Sequence, residues 1–222
     1  LFTDRAISYR KAQGFGVAKV ALSVGVQQMV RSDLAGAGVM FTLDTETGFD
    51  RVVVIDAAWG LGETVVQGSV DPDSYLVFKP LLDNASCRPI VSRNRGAKEK
   101  KIVYRDDPAA PTATVATTAA ERQGFVLSDD EVLELARAGV AIERHYGRPM
   151  DIEWAKDGLS GRLAIVQARP ETVQARRGAG LLRSYRLTAK GPILAEGIAV
   201  GDGVAAGPVA RLASAKEIDR FV

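Results

Sequence analysis

Three features of the sequence predict a mixed α/β (α+β) fold. Apolar alternation and β-branched residues, interrupted by Gly, Asp and Pro, indicate strands at 23–30, 38–43, 52–58, 75–78 and 101–104. Ser128 and Glu131 have the spacing of a capping box and predict a helix that ends near Tyr146. A turn around Asp157-Gly158 separates two apolar segments, and this arrangement predicts an antiparallel hairpin from 150–154 and 163–170. Shorter helices are expected from Thr3 towards Gly14 and over residues 63–66.

The composition describes a globular domain of ordinary polarity. The chain has 222 residues, 46% of them apolar and 25% charged, which is enough for one sizeable core. The 29 Lys and Arg residues nearly balance the 27 Asp and Glu residues, so we expect no nucleic-acid partner. No apolar run reaches the roughly 20 residues that span a bilayer, and we expect no membrane partner. One Cys and one His form neither a disulfide nor a zinc cluster, and a reducing, cytoplasmic location is expected.

Two changes in composition suggest how the chain is organised. Residues 106–124 are rich in Ala, Thr and Pro and are expected to cross the surface as a mobile connector without core contacts. A second change at 175–180 is followed by apolar, Gly-rich segments at 198–201 and 204–210, which we interpret as short strands of a new domain. The sequence begins at Leu1 without an initiator Met, and we expect it to be part of a longer protein.

The hairpin carries the strongest functional pattern in the sequence. A register that opposes Asp151 to Gln167 would place Asp151, Glu153, Gln167 and Arg169 on one face, because side chains in a strand alternate with a period of two. Carboxylate and amide oxygens suit Mg²⁺, and an arginine fork suits phosphate oxygens. The alternative is a solvated hairpin face with cross-strand charge pairs.

Other candidate positions carry weaker signals. The turn Gly60-Leu61-Gly62 leads into the helix that begins at Glu63, where backbone N–H groups could face an anion, although most such turns are only turns. His145 lies near the predicted helix end and is expected to interact with the last carbonyls rather than act as a nucleophile. The basic run 93–101 fits a solvated hairpin better than a phosphate-binding site.

Several segments, taken together, resemble the phosphoenolpyruvate synthases of the PEP-utilising, pyruvate phosphate dikinase family. They are LFTDRAISYR (1–10), GVMFTLDTE (38–46), GLGETVVQG (60–68), HYGRPMDIEWAKDG (145–158) and VQARPET (166–172). The resemblance covers nearly the whole chain. It implies the second half of an ATP-grasp nucleotide-binding domain at 1–174, a linker at 175–182, and the first strands of a swivelling phosphohistidine domain at 183–222.

The resemblance also implies roles for individual residues. Glu153 and Gln167 match the positions that hold Mg²⁺ against the ATP phosphates, and Arg169 matches the arginine that grips those phosphates. Asp151 falls at a neighbouring acidic position. The remaining implied nucleotide contacts are the adenine-edge segment Gln27, Gln28, Met29 and Val30, the phosphate-side Thr42, and Glu63, whose contact stays unassigned between ribose and metal.

The implied reaction converts ATP, pyruvate and water into AMP, phosphoenolpyruvate and phosphate through a phosphorylated histidine. The family's Gly-Gly-x-Thr-x-His-type motif and its pyruvate barrel have no counterpart in these 222 residues, so pyruvate would bind domains absent here and the isolated chain is expected to be inactive. A homodimeric parent is one expectation. Two alternatives stay open, an antibiotic kinase similar to rifampicin phosphotransferases and a nucleotide-binding module without catalysis.

Overall fold

The computed structural model describes residues 3–12, 14, 23–84, 86–171, 188, 191–196, 204 and 206–208. Its centre is a six-stranded antiparallel sheet with the spatial order β4-β3-β2-β1-β7-β8. The strands of this sheet are β1 (Gly36–Phe41), β2 (Val52–Trp59), β3 (Asp73–Phe78), β4 (Ile90–Asn94), β7 (Met150–Lys156) and β8 (Leu163–Pro170). A separate two-stranded sheet contains β5 (Lys100–Tyr104) and β6 (Thr112–Ala116).

Among the residues that the structure describes, four α-helices accompany the sheets: α1 (Asp4–Ala12), α2 (Glu63–Val66), α3 (Ala119–Gln123) and α4 (Asp129–Tyr146). Short 3-10 turns occupy Ser32–Leu34 and Lys79–Leu81. Within the described part of the chain, none of the helices is both long and apolar enough to cross a membrane.

Helix α4 covers one face of the six-stranded sheet and forms most of the core with it. Its predicted capping box is present, since Ser128 accepts from the backbone of Glu131 and the Glu131 side chain accepts from the backbone of Ser128. The helix ends at Gly147, which adopts a left-handed conformation with φ of 66°. The buried positions of α4 pack against apolar side chains of the sheet, including Met40, Ile55, Ile152 and Trp154. The opposite face of β1 and β7 is thereby left for other contacts.

A buried ion pair joins β3 to the segments that precede β5 and α4. The side chains of Asp73 and Lys98 are both fully buried, and the Lys98 ammonium donates to Asp73 and to the carbonyl of Gly96. Asp73 also accepts from the backbone N–H of Gly96 at 3.0 Å and of Val126 at 2.8 Å. One carboxylate therefore joins three separate pieces of backbone.

The structure corrects the predicted strand at 23–30. Those residues have no regular secondary structure, and residues 23–29 are exposed. Val24 and Val26 are 85% and 97% exposed, so the apolar alternation does not bury a face against this part of the protein. Alternation alone cannot supply the partner strand that a β-strand needs.

The predicted connector at 106–124 and the predicted hairpin at 93–101 are also wrong. Residues 106–124 contain β6 and α3, and Trp59 donates to the carbonyl of Glu121 at 2.9 Å. In the basic run, β4 and β5 belong to different sheets, and Lys98 is buried rather than solvated. Both segments are ordered by contacts with parts of the chain that are distant in sequence. Composition alone does not reveal such contacts.

The predicted second domain falls mostly outside the described residues. The linker 175–182 and the segment 198–201 lie outside them, and the described residues 204 and 206–208 have no regular secondary structure.

Candidate functional site

The β7–β8 hairpin forms as predicted and brings its polar residues to one face. Asp151 lies opposite Arg169 in the ladder, and Glu153 lies opposite Gln167. The predicted pairing of Asp151 with Gln167 was wrong by two residues. A shift of two preserves the face, because side chains alternate with a period of two. The prediction that Glu153 and Gln167 share a face is therefore confirmed.

Charge on this face is already partly paired. The Arg169 Nε donates to Asp151 Oδ2 at 2.8 Å. The Asp151 side chain is 15% exposed and the Arg169 side chain is 63% exposed. A guanidinium that is anchored through one nitrogen and largely open to solvent can still offer its remaining N–H groups to an anion.

The face continues across the sheet towards β2. In β1, Val39 lies opposite Glu153 on one side and opposite Asp56 on the other. At the preceding position of β1, a Cβ on Gly38 would lie 1.8 Å from the Asp56 carbonyl oxygen, so only glycine lets β1 and β2 approach this closely.

Two adjoining cavities open on this side of the sheet. The smaller, about 330 Å³, is lined at its polar end by Asp56, Asp151, Glu153 and Arg169. The larger, about 790 Å³, is also lined by Glu153. Since Glu153 and Val66 belong to both walls, the cavities are neighbours, and we call the pair the cleft, with its charged end beside the hairpin.

The larger cavity gathers most of the other predicted site residues. Gln27, Gln28, Met29, Val30 and Glu63 all line it. Although 23–30 is not a strand, the segment borders the hairpin, and the Gln27 side-chain amide donates to the Val166 carbonyl at 3.4 Å. Glu63 is the first residue of α2. Gln167 lies on the hairpin face but is not among the residues that line either cavity.

Thr42 is the one predicted site residue that the structure places elsewhere. It is fully buried, and its hydroxyl accepts from the backbone N–H of Met150 at 2.8 Å. It follows Met40 by two residues and so continues the core side of β1, away from the cleft. Thr42 fastens β1 to the start of β7, and its hydroxyl is already occupied there.

Sequence reasoning missed Tyr104, which reaches the large cavity from the second sheet. Its hydroxyl donates to the Met29 sulfur at 3.1 Å, and the Arg31 guanidinium carbon lies 5.9 Å from the centre of its ring. Arg31 in turn forms two hydrogen bonds to Asp33, at 2.8 and 2.9 Å. That guanidinium holds the pKa of the Asp33 carboxyl below its usual range. The only available signal was the apolar and aromatic pattern of β5, which indicated a strand but not a site.

Neither of two other residues with reactive side chains, His145 and Cys87, lines the cleft. His145 is exposed in the last turn of α4, and its ring contacts Tyr146 edge-on at 4.9 Å. Because α4 covers the opposite face of the sheet, His145 lies on the side of the sheet away from Asp151 and Glu153. Cys87 is exposed and has no disulfide partner.

The chemistry of the hairpin face fits a magnesium ion bound jointly with phosphate. Among the described residues, no three His, Cys, Asp or Glu side chains cluster as a self-sufficient metal site. Mg²⁺ commonly uses only one or two carboxylates and takes its other ligands from water and substrate phosphates. The carboxylate of Glu153 and the amide of Gln167, which lie opposite each other, are the groups of this face that could serve as such a partial ligand set.

Comparison with known proteins gives a consistent result. Residues 1–183 match the family described as pyruvate phosphate dikinase, AMP/ATP-binding domain. Over 222 residues, the chain is 54% identical to the phosphoenolpyruvate synthase of Pseudomonas aeruginosa (strain UCBPP-PA14), covering 99% of this chain and 28% of the relative. It is 52% identical over 224 residues to the phosphoenolpyruvate synthase of Escherichia coli (strain K12), covering 100% of this chain and 28% of that relative. The chain thus spans about 28% of the length of these relatives.

Proposed function

Because the chain belongs to the pyruvate phosphate dikinase AMP/ATP-binding domain family, we propose that it is the ATP-binding part of a phosphoenolpyruvate synthase. The proposed reaction of the whole protein converts ATP, pyruvate and water into AMP, phosphoenolpyruvate and phosphate through a phosphohistidine. The relatives named above are synthases, which supports this acceptor over an antibiotic. The observation that carries the proposal is the placement of Glu153 directly opposite Gln167 on the hairpin face, whose Asp151, Glu153 and Arg169 line one end of the cleft.

We propose that ATP lies along the cleft with its phosphates at the charged end. Arg169 would bind phosphate oxygens, and Asp151 would orient its guanidinium through the existing hydrogen bond. Glu153 and Gln167 would hold Mg²⁺, which neutralises phosphate charge when bound. The segment 27–30 would meet the base, and Glu63 a polar part of the nucleotide. Thr42 has no place in this arrangement, because its hydroxyl is buried in the core.

Phosphoryl transfer depends mainly on positioning and charge neutralisation, with little covalent chemistry for the protein to perform. The hairpin suits this role because both strands belong to a six-stranded sheet whose other face is packed against α4. A rigid support keeps Glu153 and Arg169 in place as charge moves during the transfer.

The domain arrangement is part of the same proposal. Residues 1–174 would belong to the ATP-grasp domain, 175–182 would be a linker, and 183–222 would begin the swivelling domain. The acceptor histidine and the pyruvate site would lie in other parts of the protein. The 222-residue chain alone should therefore not form AMP from ATP and pyruvate, and pyruvate-dependent AMP from the pure chain would contradict this division.

The direct test is a set of variants in the intact protein that contains this chain. Glu153→Gln removes a charged ligand and should lower the rate of phosphoryl transfer on the order of a hundredfold, corresponding to about 3 kcal/mol. Arg169→Lys should also be harmful, since a point charge cannot replace a guanidinium fork. Asp106→Asn is the control, because Asp106 is exposed and lines neither cavity.

Single-turnover formation of the phosphohistidine and steady-state formation of AMP, both at saturating Mg²⁺, would measure these effects. The control should keep the parental rate within about twofold. A Glu153→Gln variant with parental single-turnover rates would show that the hairpin is not the site of phosphoryl transfer.

A further inference from the structure

The cleft differs in character between its two ends. Asp151, Glu153 and Arg169 lie at the hairpin end, where the phosphates are proposed to bind. The remaining wall of the large cavity includes apolar side chains from four separate parts of the fold, namely Met29, Val30, Leu61, Tyr104, Ile165 and Val166. A flat, weakly polar group gains more from such a wall than a phosphate does.

Tyr104 is the one aromatic ring of the second sheet in this wall, and its sheet is attached to the main body by the backbone. The N–H of Leu61 donates to the carbonyl of Ile102 in β5 at 3.0 Å. A Cβ on Gly60 would lie 2.5 Å from the same carbonyl oxygen, which shows how closely the two chains approach. The position of β5, and hence of Tyr104, is therefore fixed against the turn that precedes α2.

The ring itself is also held. Its hydroxyl donates to the Met29 sulfur, Arg31 lies over the ring, and Asp33 restrains Arg31 through two hydrogen bonds. The Asp33 side chain is only 4% exposed, so this restraint is anchored inside the protein. A ring that is oriented before a ligand arrives loses little conformational freedom on binding.

We propose that the Tyr104 ring contacts the base of the bound nucleotide and is a determinant of nucleotide affinity. This inference rests on the proposed function and adds a binding residue supplied by the second sheet. The ring offers the base an aromatic contact, while its hydroxyl keeps Met29 and the segment 27–30 in place. Contacts between a base and an aromatic side chain are strong enough to change affinity about tenfold.

The test compares two ligands on the intact protein, Mg²⁺-ATP and Mg²⁺-tripolyphosphate, the second of which has no base. Tyr104→Leu should weaken ATP binding about tenfold and leave tripolyphosphate binding, titrated to millimolar concentration, within about twofold of the parent. Tyr104→Phe keeps the ring and should bind ATP within about threefold of the parent. Tyr146→Leu is the matched control, since Tyr146 is 52% exposed at the end of α4 and lines neither cavity.

Each result decides the question. If Tyr104→Leu binds ATP as tightly as Tyr146→Leu, or weakens both ligands equally, the ring does not contact the base. If Tyr104→Phe loses as much ATP affinity as Tyr104→Leu, the hydroxyl and not the ring is responsible, and the proposal is overturned. Failure of the parent protein to bind ATP would instead refute the proposed function, so the two failures are distinguishable.

Discussion

Replacing Asp73 with Asn should be among the most damaging conservative changes in the described part of this protein. The substitution keeps the shape of the side chain and one carbonyl oxygen, so the backbone N–H of Gly96 or Val126 can still find an acceptor. It removes the negative charge that faces the Lys98 ammonium. Both side chains are fully buried, so water cannot replace the lost partner.

The expected cost follows from this geometry. Removing one member of a buried ion pair typically costs about 3–5 kcal/mol, because the other charge stays buried and unpaired. Lys98 would keep only its hydrogen bond to the Gly96 carbonyl at 3.0 Å. For a domain of this size, such a loss lowers the melting temperature by about 10 °C.

Urea unfolding of the 222-residue chain, followed by tryptophan fluorescence, would measure the effect, since Trp154 is buried in the core. The control is Asp129→Asn, which breaks the ion pair with Arg93 whose side chains are 48% and 54% exposed. That exposed pair should contribute at most about 1 kcal/mol. The double variant Asp73→Asn with Lys98→Met should recover much of the stability, because it removes the unpaired charge. If Asp73→Asn unfolds at the same urea concentration as the Asp129 variant, the pair is not isolated from water and the reasoning fails.

Two further predictions concern the frame of the site. Burial raises the pKa of the Glu131 carboxyl, but hydrogen bonds from Lys156 and from the helix cap outweigh this effect and hold the pKa below its ordinary value of 4.5. Because the pKa is lower in the folded state than in the unfolded state, the ionised carboxylate stabilises the fold. This stabilisation is present above pH 4.5 and is lost as the pH falls through the lowered pKa. Glu131→Gln should therefore cost about 1 kcal/mol at pH 7, and this cost should shrink as the pH is lowered stepwise below 4.5, measured as urea midpoints; a cost that stays constant throughout the acid series would contradict the assignment. Gly38→Ala should destabilise the chain far more than Gly147→Ala, because a Cβ on Gly38 meets the Asp56 carbonyl oxygen whereas Gly147, although left-handed, faces open space. Thermal unfolding of the two variants checks this order, and similar melting temperatures would show that β1 and β2 can separate at no cost.

The sequence predicts well those parts of the fold that are determined by residues close together in the chain. The capping box of α4 is read from residues three apart, and β2 was predicted at 52–58 and observed at Val52–Trp59. The polar face of the hairpin was predicted correctly although the predicted register was wrong, because an error of two residues leaves every side chain on the same face. These outcomes depend on short-range periodicity, which the sequence displays directly.

The features that the sequence did not predict depend on contacts between residues that are distant in sequence. Tyr104 reaches the site through a contact with Met29, 75 residues away in sequence, and no local pattern indicates it. Thr42 lies in a segment that resembles a phosphate-side strand, but its hydroxyl is satisfied by Met150, 108 residues away. The segment 23–30 alternates like a strand, and only the absence of a neighbouring strand in the described structure decides against it.

The strand order also constrains when the cleft can form during synthesis. Strands β1 to β4 pair with their sequence neighbours and can associate as soon as they leave the ribosome. Strand β7 must then pair with β1, although the two are far apart in sequence. Thr42 and Met150, which are hydrogen-bonded where these strands meet, are separated by 108 residues. Closing such a gap is a slow, non-local event, so the cleft gains its charged end only after the rest of the sheet exists. A chain interrupted before residue 150 would expose the edge of β1, an unpaired strand that invites association with other chains.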